Sequence, residues 1–132
     1  MSYLPLRLQP GVDLRQSLEA ALSAGGESSA FVVSGIGSLS SARLRFAGEE
    51  SETSLAGMFE ILCLAGTLTR DGAHLHMAIA DRHGRVVGGH VCYGNTVRTT
   101  AEVLLAHPQD WRLSRELDAS TGFKELIVRS GG

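Results

Sequence analysis

The sequence predicts an α/β (α+β) domain: a largely antiparallel β-sheet with one main helix packed on it. Three observations point there. The stretches 57–67, 74–81 and 84–91 read as adjacent strands, apolar throughout or alternating with period two. Only the segment from Asp13 to Ala24 carries leucines at helical spacing, at Leu14, Leu18 and Leu22. A length of 132 residues, 43% hydrophobic and 20% charged, fits one ordinary globular domain, expected to span residues 1–132.

A strand from Tyr3 to Leu8 opens the chain. Asp13 is a suitable helix N-cap with Gln16 three residues on, and Gly25-Gly26 ends the helix. Arg15, Gln16 and Glu19 are expected to face water, and the helix has no assigned chemistry. Phe31-Val32-Val33 reads as a short buried strand, and Gly35-Ile36-Gly37-Ser38 as a bend or bulge or a backbone loop approaching a ligand. Without G-x-G-x-x-G or a following helix signal, a dinucleotide site is not expected. Ala42 to Ala47 is a half-exposed strand and Gly48 to Ser54 an acidic loop. After the turn at Gly94-Asn95 come strands from Arg98 to Ala106 and from Trp111 to Leu117. Thr121 to Arg129 closes the chain as a short helical or extended piece.

The central stretch holds the candidate chemistry. From Phe59 to Leu68 the strand is apolar on both faces, with Phe59, Ile61, Cys63 and Ala65 on one and Leu62 and Leu64 on the other. In the next strand His74, His76, Ala78 and Ala80 share one face, and Leu75, Met77 and Ile79 the other. Asp81-Arg82-His83-Gly84-Arg85 suits a three-residue hairpin loop with Gly84 left-handed, pairing Asp81 with Arg85. Counting back places His76 opposite His90, with His74 two residues along on the same face. Opposite Cβ atoms lie about 4.5–5.5 Å apart. A two-residue loop would turn His90 to the other face.

These motifs also carry a resemblance. Gly57 to Thr67, Asp71 to Asp81, Gly84 to His90 and Thr100 to Val103, with the earlier Ser34-Gly35-Ile36-Gly37-Ser38, resemble the plant and prokaryote conserved (PPC) domain. The resemblance implies a mixed α/β sheet that assembles as a trimer. In plants the domain follows AT-hook segments, and stand-alone prokaryotic members are often labelled DNA-binding. The apolar two-faced strand agrees with a trimer, since one helix covers only one face of a sheet.

Neutral imidazole suits zinc, and three histidines with an open fourth position describe a catalytic or ligand-binding site. His74, His76 and His90 are therefore the candidate ligands for zinc, with iron, nickel or copper as alternatives. Protons are expected to displace such a metal below about pH 6.5. His83 in the turn and His107 at a strand end are expected at the surface. Glu102 shares a strand face with Thr100 and Leu104. As a buried carboxylate it would serve as a fourth ligand, an acceptor for a histidine N–H, a general base, or the partner of Arg98 in a salt bridge. Glu60 poses the same question. Two functions follow: a metal-binding regulatory or interaction module, or a metal-dependent hydrolase using a three-histidine zinc site. A screen of small esters and phosphoesters with and without chelator separates them.

Net charge −2 argues against binding through a broad basic surface, and the sequence has no Arg-Gly-Arg-Pro core of an AT-hook. DNA association is expected to be weak and salt-sensitive. No apolar run approaches the ~20 residues of a membrane helix, and the start lacks a signal-peptide pattern, so a cytoplasmic location is expected. Cys63 and Cys92 are expected to be buried free thiols.

Overall fold

The computed structural model describes residues 1–131, which form eight strands and one helix. Six strands make one sheet: β1 (Ser2–Leu8), β2 (Ser29–Arg45), β3 (Thr53–Thr69), β4 (Gly72–Ala80), β5 (Val86–Val91) and β6 (Thr96–His107), in the spatial order β1-β6-β2-β3-β4-β5. Every pairing among the described residues is antiparallel. At its far end β2 also pairs with β5, through Leu44 with Val91 and Arg45 with His90, so the sheet curls back on itself. The helix α1 (Leu14–Ala24) buries Leu14, Leu18 and Leu22 in the same core as Leu39, Leu44, Leu75, Ile79 and Leu105. Asp13 caps it: Oδ1 accepts from Gln16 N at 2.9 Å, while Oδ2 accepts from Gly94 N at 2.6 Å. Glu19 is not simply solvated. Its carboxylate accepts from Tyr93 Oη at 2.7 Å and from Ala73 N at 3.2 Å, tying the helix to β4.

The strands at 31–33 and 42–47 are one. β2 runs 17 residues through Gly35-Ile36-Gly37, absorbing the bend as register shifts against β3 and β6. Of Phe31, Val32 and Val33 only Val32 is buried. β3 holds a second irregularity, between Ile61 and Cys63. It reverses the alternation, so Phe59, Ile61 and Leu64 face the core while Leu62 and Cys63 face out. Cys63 is thus exposed rather than buried, whereas Cys92 is buried as expected.

His107 is buried, 4% exposed, with Nδ1 3.1 Å from Ser29 O. The surface expectation fails because β1 and β2 flank β6 on both sides and cover its end. Glu102 and Glu60 are both exposed, and Glu102 joins no ion pair among the described residues. Ala101, Val103 and Leu105 take the core side of β6, so Glu102 points outward and needs no buried partner. The last residues are extended. β7 (Trp111–Leu117) and β8 (Lys124–Ser130) form a two-stranded hairpin.

Asn95 closes the end of the sheet where β2, α1 and the β5–β6 turn meet. It is fully buried. Oδ1 accepts from Arg43 N at 2.9 Å, and Nδ2 donates to Arg43 O at 2.9 Å and Cys92 O at 2.8 Å. Asn95→Ala takes the partner from Arg43 N and Cys92 O, while Arg43 O keeps its bond from Cys92 N, and it is expected to cost about 2–4 kcal/mol in chemical denaturation. A loss below about 0.5 kcal/mol would show that the amide is not holding this corner.

Candidate metal centre

The β4–β5 hairpin is built by its turn. Asp81 N donates to Arg85 O at 2.9 Å, Gly84 N donates to Asp81 O at 3.0 Å, and Gly84 is left-handed at φ +78°. Asp81 Oδ1 accepts from His83 N and Arg85 N, and those bonds hold its carboxyl below the usual range. With the turn set, His76 pairs with His90. Gly88 and Gly89 let β5 approach on both sides: an added Cβ would fall 2.9 Å from Met77 O and 2.8 Å from Arg45 O.

Three rings meet on one face of this hairpin. One nitrogen from each of His74, His76 and His90 lies within 4.8 Å of the others. The Nε2 atoms of His74 and His76 are 3.1 Å apart, and the ring centroids are separated by 4.9, 5.0 and 5.5 Å. Around a tetrahedral zinc with Zn–N of about 2.0–2.1 Å, neighbouring nitrogens are about 3.3–3.4 Å apart. The donor set fits a metal ion, and it leaves coordination positions open. His83 is exposed in the turn and Glu102 stands on β6, so neither joins the group.

The electrostatics favour lone pairs over protons. Burial brings His90 down to about 4, with His74, Arg45 and His76 pushing the same way. Burial also lowers His74, helped by Arg115 and His76 and opposed by Glu125.

The rings open onto a cleft of about 1120 Å³ whose walls include Arg45, Glu49, Glu50, Arg115, Lys124 and Glu125. The terminal hairpin supplies the last three, and sequence reasoning missed them. Arg115 lies in the same register of β7 as Trp111, Leu113 and Leu117, and an arginine on the apolar face of a strand was the available signal. Its Nη2 donates to Thr67 Oγ1 at 2.6 Å, and its backbone N donates to Asp71 Oδ2 at 2.9 Å. Thr67 pairs with His74, so these bonds place the guanidinium beside the rings.

The chain is similar to several known proteins. It is 47% identical over 124 residues to a bifunctional protein GlmU from Synechococcus sp. (strain JA-3-3Ab), a match covering 94% of this chain but 20% of that protein. The chain thus spans about a fifth of the length of the curated relatives it matches. Among solved structures, a hypothetical protein from Salmonella is 39% identical with a TM-score of 0.95, covering 98% of this chain and 94% of that one. A metal-containing protein from Archaeoglobus fulgidus is 26% identical with a TM-score of 0.80, covering 96% and 94%. The profile of the Plants and Prokaryotes Conserved (PCC) domain, the PPC family of the motif resemblance, matches residues 1–107. With the motifs, the antiparallel sheet and the single helix in agreement, the chain belongs to the Plants and Prokaryotes Conserved domain family.

Proposed function

We propose that this protein is a trimeric, cytoplasmic metal-binding module with a regulatory or interaction role, holding zinc or another divalent transition metal on His74, His76 and His90. The observation that carries the reading is the convergence of three imidazole nitrogens from a hairpin whose turn sets their register. When bound, the metal supplies a Lewis-acid centre with room for a further ligand. The metal-containing Archaeoglobus relative supports the reading. So does the setting of the matched segment in the Synechococcus relatives, where it forms part of a much longer bifunctional protein. The trimer is supported by exposed apolar side chains outside the core, among them Ile36 on β2 and Met58 and Leu62 on β3. DNA is not the proposed ligand, given the net charge of −2 and the lack of an AT-hook core. The open cleft beside the rings keeps a hydrolase as the second reading, separated by the chelator-controlled ester and phosphoester screen.

Native mass spectrometry of tag-free protein tests metal and assembly together. Wild type is expected to carry about one metal ion per subunit in a trimeric particle. His76→Ala and His90→Ala are expected to lose most of the metal, while His83→Ala and Glu102→Gln keep it. Equal content in all variants would reduce the rings to a polar strand face, and a monomeric particle would contradict the assembly.

A further inference from the structure

We propose that Arg115 makes the cleft an oxyanion site, so that the ligand meeting the three-histidine centre is a small molecule bearing a carboxylate or phosphate. The proposal rests on the metal reading above and adds the class of ligand.

Arg115 is an unusual cation for this surface. The guanidinium is partly removed from water, and its Nε is fully buried with no hydrogen-bond partner in the chain. Nη2 is committed to Thr67 Oγ1, an uncharged acceptor. No carboxylate lies within ion-pair distance: among the described residues the ion pairs are Arg15–Glu19, Arg43–Glu52 and Arg129–Glu116. Asp71 accepts from the backbone N of Arg115 rather than from its guanidinium, and Glu125 Oε1 accepts from Thr121 Oγ1. A guanidinium presents its N–H groups in a fixed planar fork matched to two oxygens of one anion. Here Nε is sealed from the cleft, so the groups left for an anion are Nη1 and the second N–H of Nη2, held beside His74 by a strand outside the β4–β5 hairpin.

The charge around the rings points the same way. The candidate ligands are imidazoles and add no negative charge, so a dication held by them would keep its charge in the cleft that Arg115 also lines. Lys124 and Arg45 stand in the same walls, and Arg45 pairs with His90. Glu49, Glu50 and Glu125 also line the cleft. They balance the side-chain charges and leave the charge of the metal to be met. One small oxyanion answers both centres, with an oxygen at the open face of the rings and an oxygen on the fork of Arg115. A neutral ligand would leave the guanidinium unpaired in a partly dry place, which is costly.

The test uses full-length, tag-free protein loaded with cobalt(II), whose visible bands report its ligands. Acetate and inorganic phosphate are titrated separately into wild type, Arg115→Gln and Arg115→Lys. The expected result is a saturable change in the cobalt bands with at least one anion, weakened about 10–100-fold in Arg115→Gln at unchanged cobalt content. Which anion binds tighter assigns the carboxylate or the phosphate class. If Arg115→Gln fails to fold, Arg115→Lys carries the test, because it keeps the charge and removes the fork. Unchanged anion affinity in the variant, or no spectral change in wild type, overturns the proposal and leaves the metal reading standing. Failure of wild type to bind cobalt overturns both.

Discussion

Gly66→Ala is expected to lower the melting temperature by about 10 °C or more, corresponding to at least about 3 kcal/mol. A Cβ at this position would lie 2.1 Å from His74 O and 2.9 Å from Leu75 Cα. Both atoms are backbone of β4, and Gly66 pairs directly with Leu75, so relief requires β3 and β4 to separate. The backbone adds to the cost, because Gly66 has φ +140°, a region that side chains disfavour. Gly72→Ala is the control. It has φ +122° but open space around the added carbon, so it meets strain without overlap. Thermal melts and chemical denaturation of the two variants separate these terms. Equal destabilisation would mean that the close approach of the strands is not what position 66 requires. Since Gly66 lies one residue from the partner of His74, the variant should also bind metal more weakly.

Metal is expected to remain bound below about pH 6.5, where free imidazole is already protonated. For unperturbed histidines, competition by protons begins at about pH 6.5. His90 is held down at about 4 by burial and by the charges of His74, Arg45 and His76, and His74 is lowered chiefly by burial. Both rings therefore keep lone pairs at a pH where free imidazole is charged. The metal-free protein shows the other side of the same linkage. Below about pH 6.5 the unfolded chain binds protons at these positions, while folded His90 does not until about pH 4. More protons on the unfolded state means that stability falls as the pH falls through that window. Metal retention after dialysis between pH 7 and 4, with melts of chelator-treated protein over the same range, gives both readings. Half-loss of metal at or above pH 6.5, or melts unchanged between pH 6.5 and 4, would contradict the expectation.

What the sequence determined by itself was the local part of the site. Asp81 to Arg85 specify a turn through short-range hydrogen bonds and one left-handed glycine, and a turn with a defined loop length dictates the cross-strand partner of every residue behind it. His76 opposite His90 follows from counting, and the leucines of α1 and its Asp13 cap follow from helical period and capping chemistry. Tertiary structure decided whatever depends on distant neighbours. The irregularity at Ile61/Cys63 reverses the faces of β3, because alternation holds only until an extra residue interrupts the ladder. That is why Cys63 is exposed and Leu64 buried, against the simple count. His107 is buried because β1 and the start of β2, whose Ser29 lies 78 residues earlier in the chain, close over the end of β6. Glu102 points to solvent for a related reason: which side of β6 meets the core depends on where the sheet curls, not on its own alternation. Arg115 reaches the histidines only because the terminal hairpin docks on β3 and on the β3–β4 turn, a placement no pattern within residues 111–130 encodes.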